Sequence, residues 1–262
     1  MSTRERSLWR MFAARSCSSS SPSTVLAESM TRTSSPRVRD VLSALAVTFV
    51  ALALIQAFVG RLYLIPSSSM EPTLHGCPGC TNDRIAVQKV SYYFSDPRPG
   101  EVVVFAGPES WNTSFEVKRS RNVLLRGIQN MAAVVGLAPN GDNILVKRVI
   151  ATGGQTVSCQ EGDPAVMVDG RPTNQEFVLD PPEIPVDERV GSQACGGAYF
   201  GPVTVPEGHL WVMGDNRTNS LDSRAHLGDK LQGTVPVENV RGKVAAVVVP
   251  ISRAHTVEDM SL

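Results

Sequence analysis

An apolar stretch at residues 41–60 places the strongest constraint on how this chain of 262 residues can fold. The stretch, VLSALAVTFVALALIQAFVG, contains no Asp, Glu, Lys or Arg. Twenty helical residues, rising ~1.5 Å each, would cross the ~30 Å hydrocarbon core of a bilayer. A buried helix of a soluble protein is the alternative, but an uncharged stretch of this length favours a single transmembrane anchor.

The charges on either side of the stretch predict its orientation. Arg32, Arg37 and Arg39 precede it, whereas only Arg61 follows closely. Positive charge collects on the cytoplasmic side of membrane proteins, so residues 61–262 are expected outside the cytoplasm. A cleaved signal peptide fits less well, because the small-residue triplets lie inside the apolar core and not after it.

The flanking segments complete the predicted organisation. Residues 1–40 are rich in serine and low in apolar side chains, which predicts a disordered cytoplasmic tail, although Met30 is an alternative start. No basic stripe is interleaved with aromatic residues, so nucleic-acid binding is not indicated. Residues 61–262 are long enough for one domain.

The part of the chain beyond the apolar stretch has the pattern of a mainly β protein. Its short apolar runs are separated by turn residues, and the chain contains 18 prolines and 21 glycines. Strands are predicted at 85–90, 101–105, 144–150, 203–205, 209–213 and 243–249, with a hairpin arm at 165–170. Residues 115–137 break this pattern, because their apolar side chains recur at helical spacing. They predict a helix or loop packed on the sheet, or an amphipathic element lying on the bilayer.

Four of the five cysteines fall on the side of the chain predicted to be extracytoplasmic, where disulfides form readily. Of the three possible pairings, we favour Cys77 with Cys80 and Cys159 with Cys195. The Cys-x-x-Cys next to His75 also admits a metal or redox site. We favour no metal, because a second Cys/His pair at ligand spacing is absent from the sequence. The fifth cysteine, Cys17, is expected to be a free cytoplasmic thiol.

Residues 65–74, Ile-Pro-Ser-Ser-Ser-Met-Glu-Pro-Thr-Leu, place three serines between two prolines. Proline restricts its own φ and the residue before it, which predicts a stiff turn. A serine nucleophile needs this stiffness, because its hydroxyl must be oriented toward the substrate and a hydrogen-bond donor must already be in place for the developing oxyanion. The alternative is a polar linker that leaves a membrane anchor.

A lysine in the predicted strand 144–150 is a candidate for the base that such a nucleophile needs. Alternate side chains of a strand share a face, so Lys147 lies between Leu145 and Val149. Apolar neighbours disfavour the charged amine, and lowering its pKa from ~10.4 to near neutrality corresponds to about 4 kcal/mol. The alternative is a lysine at a strand edge whose amine reaches solvent.

A dense polar block, residues 213–224, follows the predicted strand 209–213. Its arginines and aspartates predict either a solvated loop or a network of ion pairs that holds a site rigid. Gly214 indicates a position without room for a side chain.

These blocks, together with residues 98–105 and 147–154, resemble bacterial type I signal peptidases, and most closely the actinobacterial members. The resemblance covers about residues 41–250. It implies a β-rich extracytoplasmic catalytic domain with a small inserted β subdomain at about 155–210. It also implies a serine endopeptidase that removes signal peptides from exported preproteins after an Ala-x-Ala pattern, without a cofactor. The implied partners are these signal peptides, membrane lipid and the translocation machinery.

The resemblance assigns a role to individual residues. Ser69 would be the nucleophile, Lys147 the general base, Ser67 an oxyanion donor, and Ser220 would orient the lysine amine. The supporting ion pairs would be formed by Arg148, Asp215, Asp222 and Arg224. Shallow pockets for small side chains would be lined by Tyr63, Ile65, Met70, Leu74 and Val146.

This sequence departs from the family pattern within the same blocks. Ser68 stands where glycine or a glutamate-like residue is common and is expected to be a bystander, and Thr218 replaces a common aspartate. A Ser–His–Asp hydrolase is a rival, but the chain has no Gly-x-Ser-x-Gly. A non-enzymatic membrane-anchored extracytoplasmic β-domain is the second alternative.

Overall fold

The computed structural model of the protein describes residues 38–77, 79–111 and 143–261. The predictions for the tail at 1–37, for Cys17 and for the segment 115–137 lie outside the described residues. Residues 42–262 form one compact unit. Of the other unit, residues 1–41, the structure describes 38–41, which are helical.

The described chain begins with a helix. Helix α1 spans Val38–Leu54 and continues as a π-helical turn, Ile55–Val59. It starts three residues before the predicted anchor, within the last residues of the stretch predicted to be the tail. Asp40 lies in the first turn, where a carboxylate interacts favourably with the helix dipole.

The predicted anchor also differs at its end. The α-helix stops at Leu54, and the backbone is extended at Gly60, which pairs with Gln88 in a sheet. In the described residues of α1, no side chain is buried. Among the residues that the structure describes, no helix is both long enough and apolar enough to cross a membrane.

The remainder is built from antiparallel strands, which confirms the mainly β prediction. In chain order they are β1 Gly60–Leu64, β2 Arg84–Gln88, β3 Val102–Ala106, β4 Ile144–Thr152, β5 Thr156–Cys159, β6 Met167–Val168, β7 Arg171–Pro172, β8 Gly191–Ser192, β9 Gly197–Ala198, β10 Phe200–Thr204, β11 His209–Met213, β12 Val235–Pro236, β13 Val240–Val249 and β14 His255–Thr256. Short 3₁₀ helices lie at Val90–Tyr93, Glu109–Trp111, Arg217–Asn219, Ser223–His226, Val237–Asn239 and Ile251–Arg253.

The main sheet has the order β1-β2-β13-β3-β4-β11-β12, and β14 pairs with β13. Strand β4, which carries Lys147, is therefore an interior strand between β3 and β11. An interior strand has its backbone groups paired on both sides and its side chains packed by neighbours. From Lys147 to Ala151 its side chains are buried.

A smaller set of strands is inserted between β4 and β11. Strands β10, β5, β6 and β7 form one sheet, and β8 pairs with β9. Val157, Val166 and Phe200 of this insertion form an apolar cluster with Trp211 and Met213 of β11. The insertion thus shares a core with the main sheet, directly before the polar block.

The serine turn is fixed by a second apolar cluster. Met70 and Leu74 are buried there against Val87, Val102 and Val247, which belong to β2, β3 and β13. Burying a side chain of this size contributes about 1.5–3 kcal/mol. The turn is therefore held against the main sheet at its carboxyl-terminal end.

Candidate active site

The structure brings the serine turn and strand β4 together at two atoms. Lys147 Nζ donates a hydrogen bond to Ser69 Oγ over 2.7 Å, although the residues are 78 positions apart in sequence. This distance lies within the range for proton transfer between a base and a nucleophile. Of the three adjacent serines, Ser69 is the one whose hydroxyl is hydrogen-bonded to the lysine amine.

The surroundings of Lys147 shift its titration. The side chain is only 4% exposed, and Leu145 and Val149 on its flanks both pack in an apolar cluster with Val103 and Val212. Burial lowers the pKa of Lys147 from 10.5 to about 8, while the charges of Asp222 and Asp215 oppose this shift. The prediction of a desolvated lysine is confirmed, and more of the amine is neutral near physiological pH than for an ordinary lysine.

Ser67 lies on the open side of the nucleophile. Its side chain is exposed, and its Oγ is 3.4 Å from Ser69 Oγ. A hydroxyl at this position can reach an oxygen that develops negative charge next to Ser69. The structure thus places the predicted oxyanion donor beside the predicted nucleophile.

Ser68, predicted to be a bystander in the chemistry, is hydrogen-bonded to the polar block. Its hydroxyl accepts a hydrogen bond from Asn219 Nδ2 (3.1 Å), and its carbonyl accepts one from Asn216 Nδ2 (3.2 Å). The next carbonyl, that of Ser69, accepts from the backbone N–H of Asn216 (3.2 Å). The turn contains polar backbone groups outside a strand ladder, and these need other partners. The polar block supplies them.

Ser220 does not make the predicted hydrogen bond to the lysine amine. Within the described residues its Oγ is buried without a hydrogen-bond partner. The hydroxyl instead packs against the backbone at Gly214, where a Cβ would overlap both Ser220 Oγ and the carbonyl oxygen of Ser69. This close approach confirms that Gly214 has no room for a side chain.

The first predicted ion pair joins β4 to the polar block. Arg148 binds both carboxylate oxygens of Asp215, at 2.9 Å and 2.7 Å. The same guanidinium donates to the carbonyl of Gly100, and Asp215 accepts a hydrogen bond from Thr73 Oγ1 at 2.6 Å. Because Thr73 lies in the serine turn, this pair ties together the turn, the strand that carries Lys147 and the polar block.

The second ion pair lies within the polar block. Arg224 binds both oxygens of Asp222, at 2.9 Å and 2.8 Å, and Asp222 also accepts from the N–H of Gly214. The Arg224 guanidinium holds the pKa of Asp222 below its usual range against the effect of burial. Asp222 therefore stays ionised, and Arg224 further donates to the carbonyls of Cys195 and Gly196 in the insertion.

Comparison with known proteins gives a consistent result. The family model described as signal peptidase, peptidase S26, matches residues 38–249. A probable signal peptidase I of Mycobacterium leprae (strain TN) is 48% identical over 243 residues, covering 87% of this chain and 83% of that protein. A signal peptidase I of Mycobacterium tuberculosis (strain CDC 1551 / Oshkosh) is 50% identical over 226 residues, covering 84% and 75%. A probable signal peptidase I-1 of Synechocystis sp. (strain ATCC 27184 / PCC 6803 / Kazusa) is 32% identical over 216 residues, covering 82% and 85%.

The chain belongs to the signal peptidase family, peptidase S26. It is a type I signal peptidase, a serine endopeptidase that removes signal peptides. Family membership decides against the non-enzymatic alternative.

The residues predicted to line the pockets of this signal peptidase lie in one apolar cluster. Ile65, Met70 and Leu74 are at most 3% exposed, whereas Tyr63 and Val146 are partly exposed. The open part of this surface is therefore formed by Tyr63 and Val146, and the other three side chains lie beneath it. Their contact with substrate stays a prediction.

The cysteines are paired as favoured from the sequence. Disulfides join Cys77 to Cys80 and Cys159 to Cys195. The second pair is buried within the core shared by the insertion and β11.

Sequence reasoning missed several residues that hold the signal peptidase site. Besides Asn216 and Asn219, these include Phe177, whose ring centre lies 4.3 Å from Arg148 Cζ and 5.5 Å from Arg217 Cζ. The asparagines belong to the same polar block as Asp215, so their position in the sequence could have indicated that they contact the site. Phe177 lies in the insertion, and its contact with Arg148 leaves no local pattern in the sequence.

Proposed function

We propose that this signal peptidase cleaves exported preproteins with Ser69 as nucleophile and Lys147 as general base. The observation that carries the proposal is the 2.7 Å hydrogen bond between Lys147 Nζ and Ser69 Oγ. It is supported by the burial that brings the pKa of the amine to about 8, because only the neutral amine can accept the proton.

The first half of the reaction is attack on the peptide bond. The neutral amine of Lys147 takes the Ser69 proton as Oγ bonds to the scissile carbonyl carbon, and the carbonyl π electrons move to its oxygen. Ser67 Oγ and the backbone N–H of Ser69 donate to that oxygen, which stabilises the charge where it develops. The lysine ammonium then protonates the departing amine of the mature protein.

The second half releases the signal peptide. The signal peptide is now an ester on Ser69 Oγ, and Lys147 is again neutral. The lysine takes a proton from water as the water oxygen attacks the ester carbonyl, and it returns that proton to Ser69 Oγ. One group acting in both directions requires a pKa close to the working pH, which the buried amine has.

The ion pairs and the asparagine contacts support this mechanism by holding the two reacting groups. The Arg148–Asp215 pair is nearly inaccessible, with side chains 1% and 0% exposed. Charge-assisted, bidentate contacts of this kind restrict the angle between partners as well as the distance. Ser69 is in turn held through Ser68 by Asn216 and Asn219.

Substrate choice is proposed to follow from the apolar cluster next to Ser69. Tyr63 and Val146 expose part of their side chains there, while Met70 and Leu74 close the surface from below. We expect a shallow surface of this kind to accept small side chains. Cleavage after an Ala-x-Ala pattern is the expected preference.

The chain is proposed to work at a membrane, with 1–40 in the cytoplasm, 41–60 as the anchor and 61–262 outside. The uncharged sequence of the stretch, the arginines before it and the exposed apolar side chains of α1 support this placement. Ser69 is nine residues beyond Gly60, which limits its distance from the anchor to ~30 Å. Membrane lipid and the translocation machinery are the expected partners. Recovery of the protein in the soluble fraction after alkaline carbonate extraction would contradict the placement.

Cleavage of a purified preprotein by the full chain in detergent tests the catalytic assignment. Ser69→Ala and Lys147→Met should each lower kcat/KM by at least ~10³-fold, and the double variant should be no worse. Ser252→Ala and Lys230→Met, at exposed positions, are matched controls and should retain activity. A folded Ser69→Ala or Lys147→Met variant with near-normal cleavage would overturn the assignment.

A further inference from the structure

Three side chains with metal-binding atoms lie directly after the serine turn. The imidazole of His75 and the sulfurs of Cys77 and Cys80 each offer one ligand atom, and these atoms all lie within 4.8 Å of one another. All three residues are partly exposed, so an ion in solution can reach them. Ligand atoms around a tetrahedral Zn²⁺ lie ~3.6 Å apart, which small side-chain rotations can achieve from this arrangement.

The imidazole of His75 is already oriented by a carboxylate. Its Nδ1 lies 2.6 Å from Glu71 Oε1. Histidines that bind metals commonly donate their other ring N–H to a carboxylate in this way, which fixes the ring and raises the basicity of the free nitrogen. With Nδ1 facing Glu71, Nε2 is the nitrogen available to a metal.

The turn between the two cysteines is also held. Asn82 Oδ1 accepts a hydrogen bond from the backbone N–H of Cys77 (3.0 Å), and Cys80 Sγ is 3.1 Å from the same oxygen. The N–H of Cys80 donates to the carbonyl of Cys77. These contacts hold the backbone of both cysteines in addition to the bond between the sulfurs.

We propose that the dithiol form of this cluster binds one Zn²⁺ through His75 Nε2 and the thiolates of Cys77 and Cys80. Two thiolates and one imidazole form a donor set that Zn²⁺ favours, and a water molecule can complete the tetrahedron. Binding replaces two thiol protons, which are released, and no electrons are transferred. Oxidation removes both thiolates, so the Cys77–Cys80 disulfide and the metal exclude each other. The newly made chain carries thiols, and it is this form that the ion would capture.

The cluster is positioned to stabilise the serine turn in either form. Gly76 packs so closely on the carbonyl oxygens of Ile65 and Ser67 that a Cβ there would overlap them. The segment is also tied down because the N–H of His75 donates to Asp83 Oδ2 at 2.8 Å. A metal ion bound by residues 75–80 would therefore hold the segment around Gly76 in place against Ser67.

Cobalt titration tests the site without using cleavage as the readout. The full chain with Cys17→Ser is treated with a phosphine reductant, thiols are counted, and Co²⁺ is added. The expected result is the near-ultraviolet absorption of cobalt–thiolate bonds, saturating at about one Co²⁺ per chain and lost on addition of Zn²⁺. The untreated disulfide form should show no such absorption.

Variants assign the ligands. Cys77→Ser and Cys80→Ser should each reduce the thiolate absorption, and His75→Ala should weaken Co²⁺ binding by at least ~10-fold. Glu71→Gln keeps all three ligands, and removing its charge should weaken binding by ~10-fold. His255→Ala, at an exposed histidine elsewhere, is the control and should bind as the parent does.

Two results would overturn the proposal. One is the absence of cobalt–thiolate absorption when two thiols per chain are counted in folded protein. The other is unchanged Co²⁺ affinity in both His75→Ala and Glu71→Gln. That result would mean that the two thiols bind the metal without His75 as a ligand. Because Glu71→Gln does not remove a ligand, it decides the matter if His75→Ala fails to fold.

Discussion

At the scale of single residues, the buried amine of Lys147 sets how activity should depend on pH. Because burial lowers its pKa to about 8, the fraction of neutral amine rises through the range in which most lysines stay charged. We expect kcat/KM for preprotein cleavage to rise about tenfold per pH unit below pH 8 and to level off above it. The measurement is kcat/KM between pH 6 and pH 10.

The control for this profile is the Lys230→Met variant, whose lysine is exposed. Its profile should match that of the parent protein. A flat profile between pH 6 and pH 9 in the parent would show that no lysine titrates as the base. The base has to be deprotonated to act. A kcat/KM that falls as pH rises through 8 would therefore also contradict the assignment of Lys147.

The residue scale also shows what sequence alone could give. The lowered pKa of Lys147 follows from two apolar neighbours on a strand, which the sequence displays. The contacts of Ser68 and Ser220 do not follow from the sequence. A hydroxyl can form hydrogen bonds in several directions, and its partner depends on which loop approaches it. Asn219 reaches Ser68, whereas Ser220 packs against Gly214.

At the scale of elements, the serine turn and the polar block act as a pair of loops that position each other. One of the side-chain contacts between them is the hydrogen bond from Asn219 Nδ2 to Ser68 Oγ. Its loss in Asn219→Ala should lower kcat about tenfold with little change in KM, because the contact orients the nucleophile and does not touch substrate. That factor corresponds to about 1.4 kcal/mol, within the usual range for one hydrogen bond.

A double-mutant cycle with Ser68→Ala separates this contact from general damage. If the hydrogen bond carries the effect, Ser68→Ala should match Asn219→Ala, and the double variant should be no slower than either. Asn239→Ala, in the 3₁₀ helix Val237–Asn239, is the matched control. If the losses in kcat of the two single variants add in the double variant, the hydrogen bond does not carry the effect.

The elements themselves were partly predictable. Strands β4 and β11 follow from apolar runs bounded by turn residues, and both were found close to the predicted residues. Strand β1, Gly60–Leu64, was missed because it directly follows the apolar stretch and its first residue was assigned to the predicted anchor. Its strand conformation is set by pairing with Arg84–Gln88, a contact that lies twenty or more residues away.

At the scale of the whole molecule, the insertion contacts the residues that surround the proposed catalytic pair. Arg224 donates to the carbonyls of Cys195 and Gly196, and the N–H of Leu179 donates to the carbonyl of Asp215. Phe177 stacks beside Arg148. The sequence predicted that a small β insertion exists, but its contacts with the polar block depend on how two sheets pack. Such contacts leave no periodic signal along the chain.

The burial of Lys147 has a consequence for the stability of the folded protein. Folding lowers its pKa from 10.5 to about 8, so below pH 8 both folded and unfolded chains hold the proton and the fold carries the full penalty. That penalty is on the order of 3 kcal/mol and fades as pH rises from 8 to 10.5. Lys147→Met should therefore unfold at higher urea concentration than the parent at pH 7, with the gap closing by pH 10.5. A variant that is less stable at pH 7 would contradict this. Selection for heat resistance alone would then favour inactive protein, so any thermostable form of this peptidase has to gain its stability at other positions.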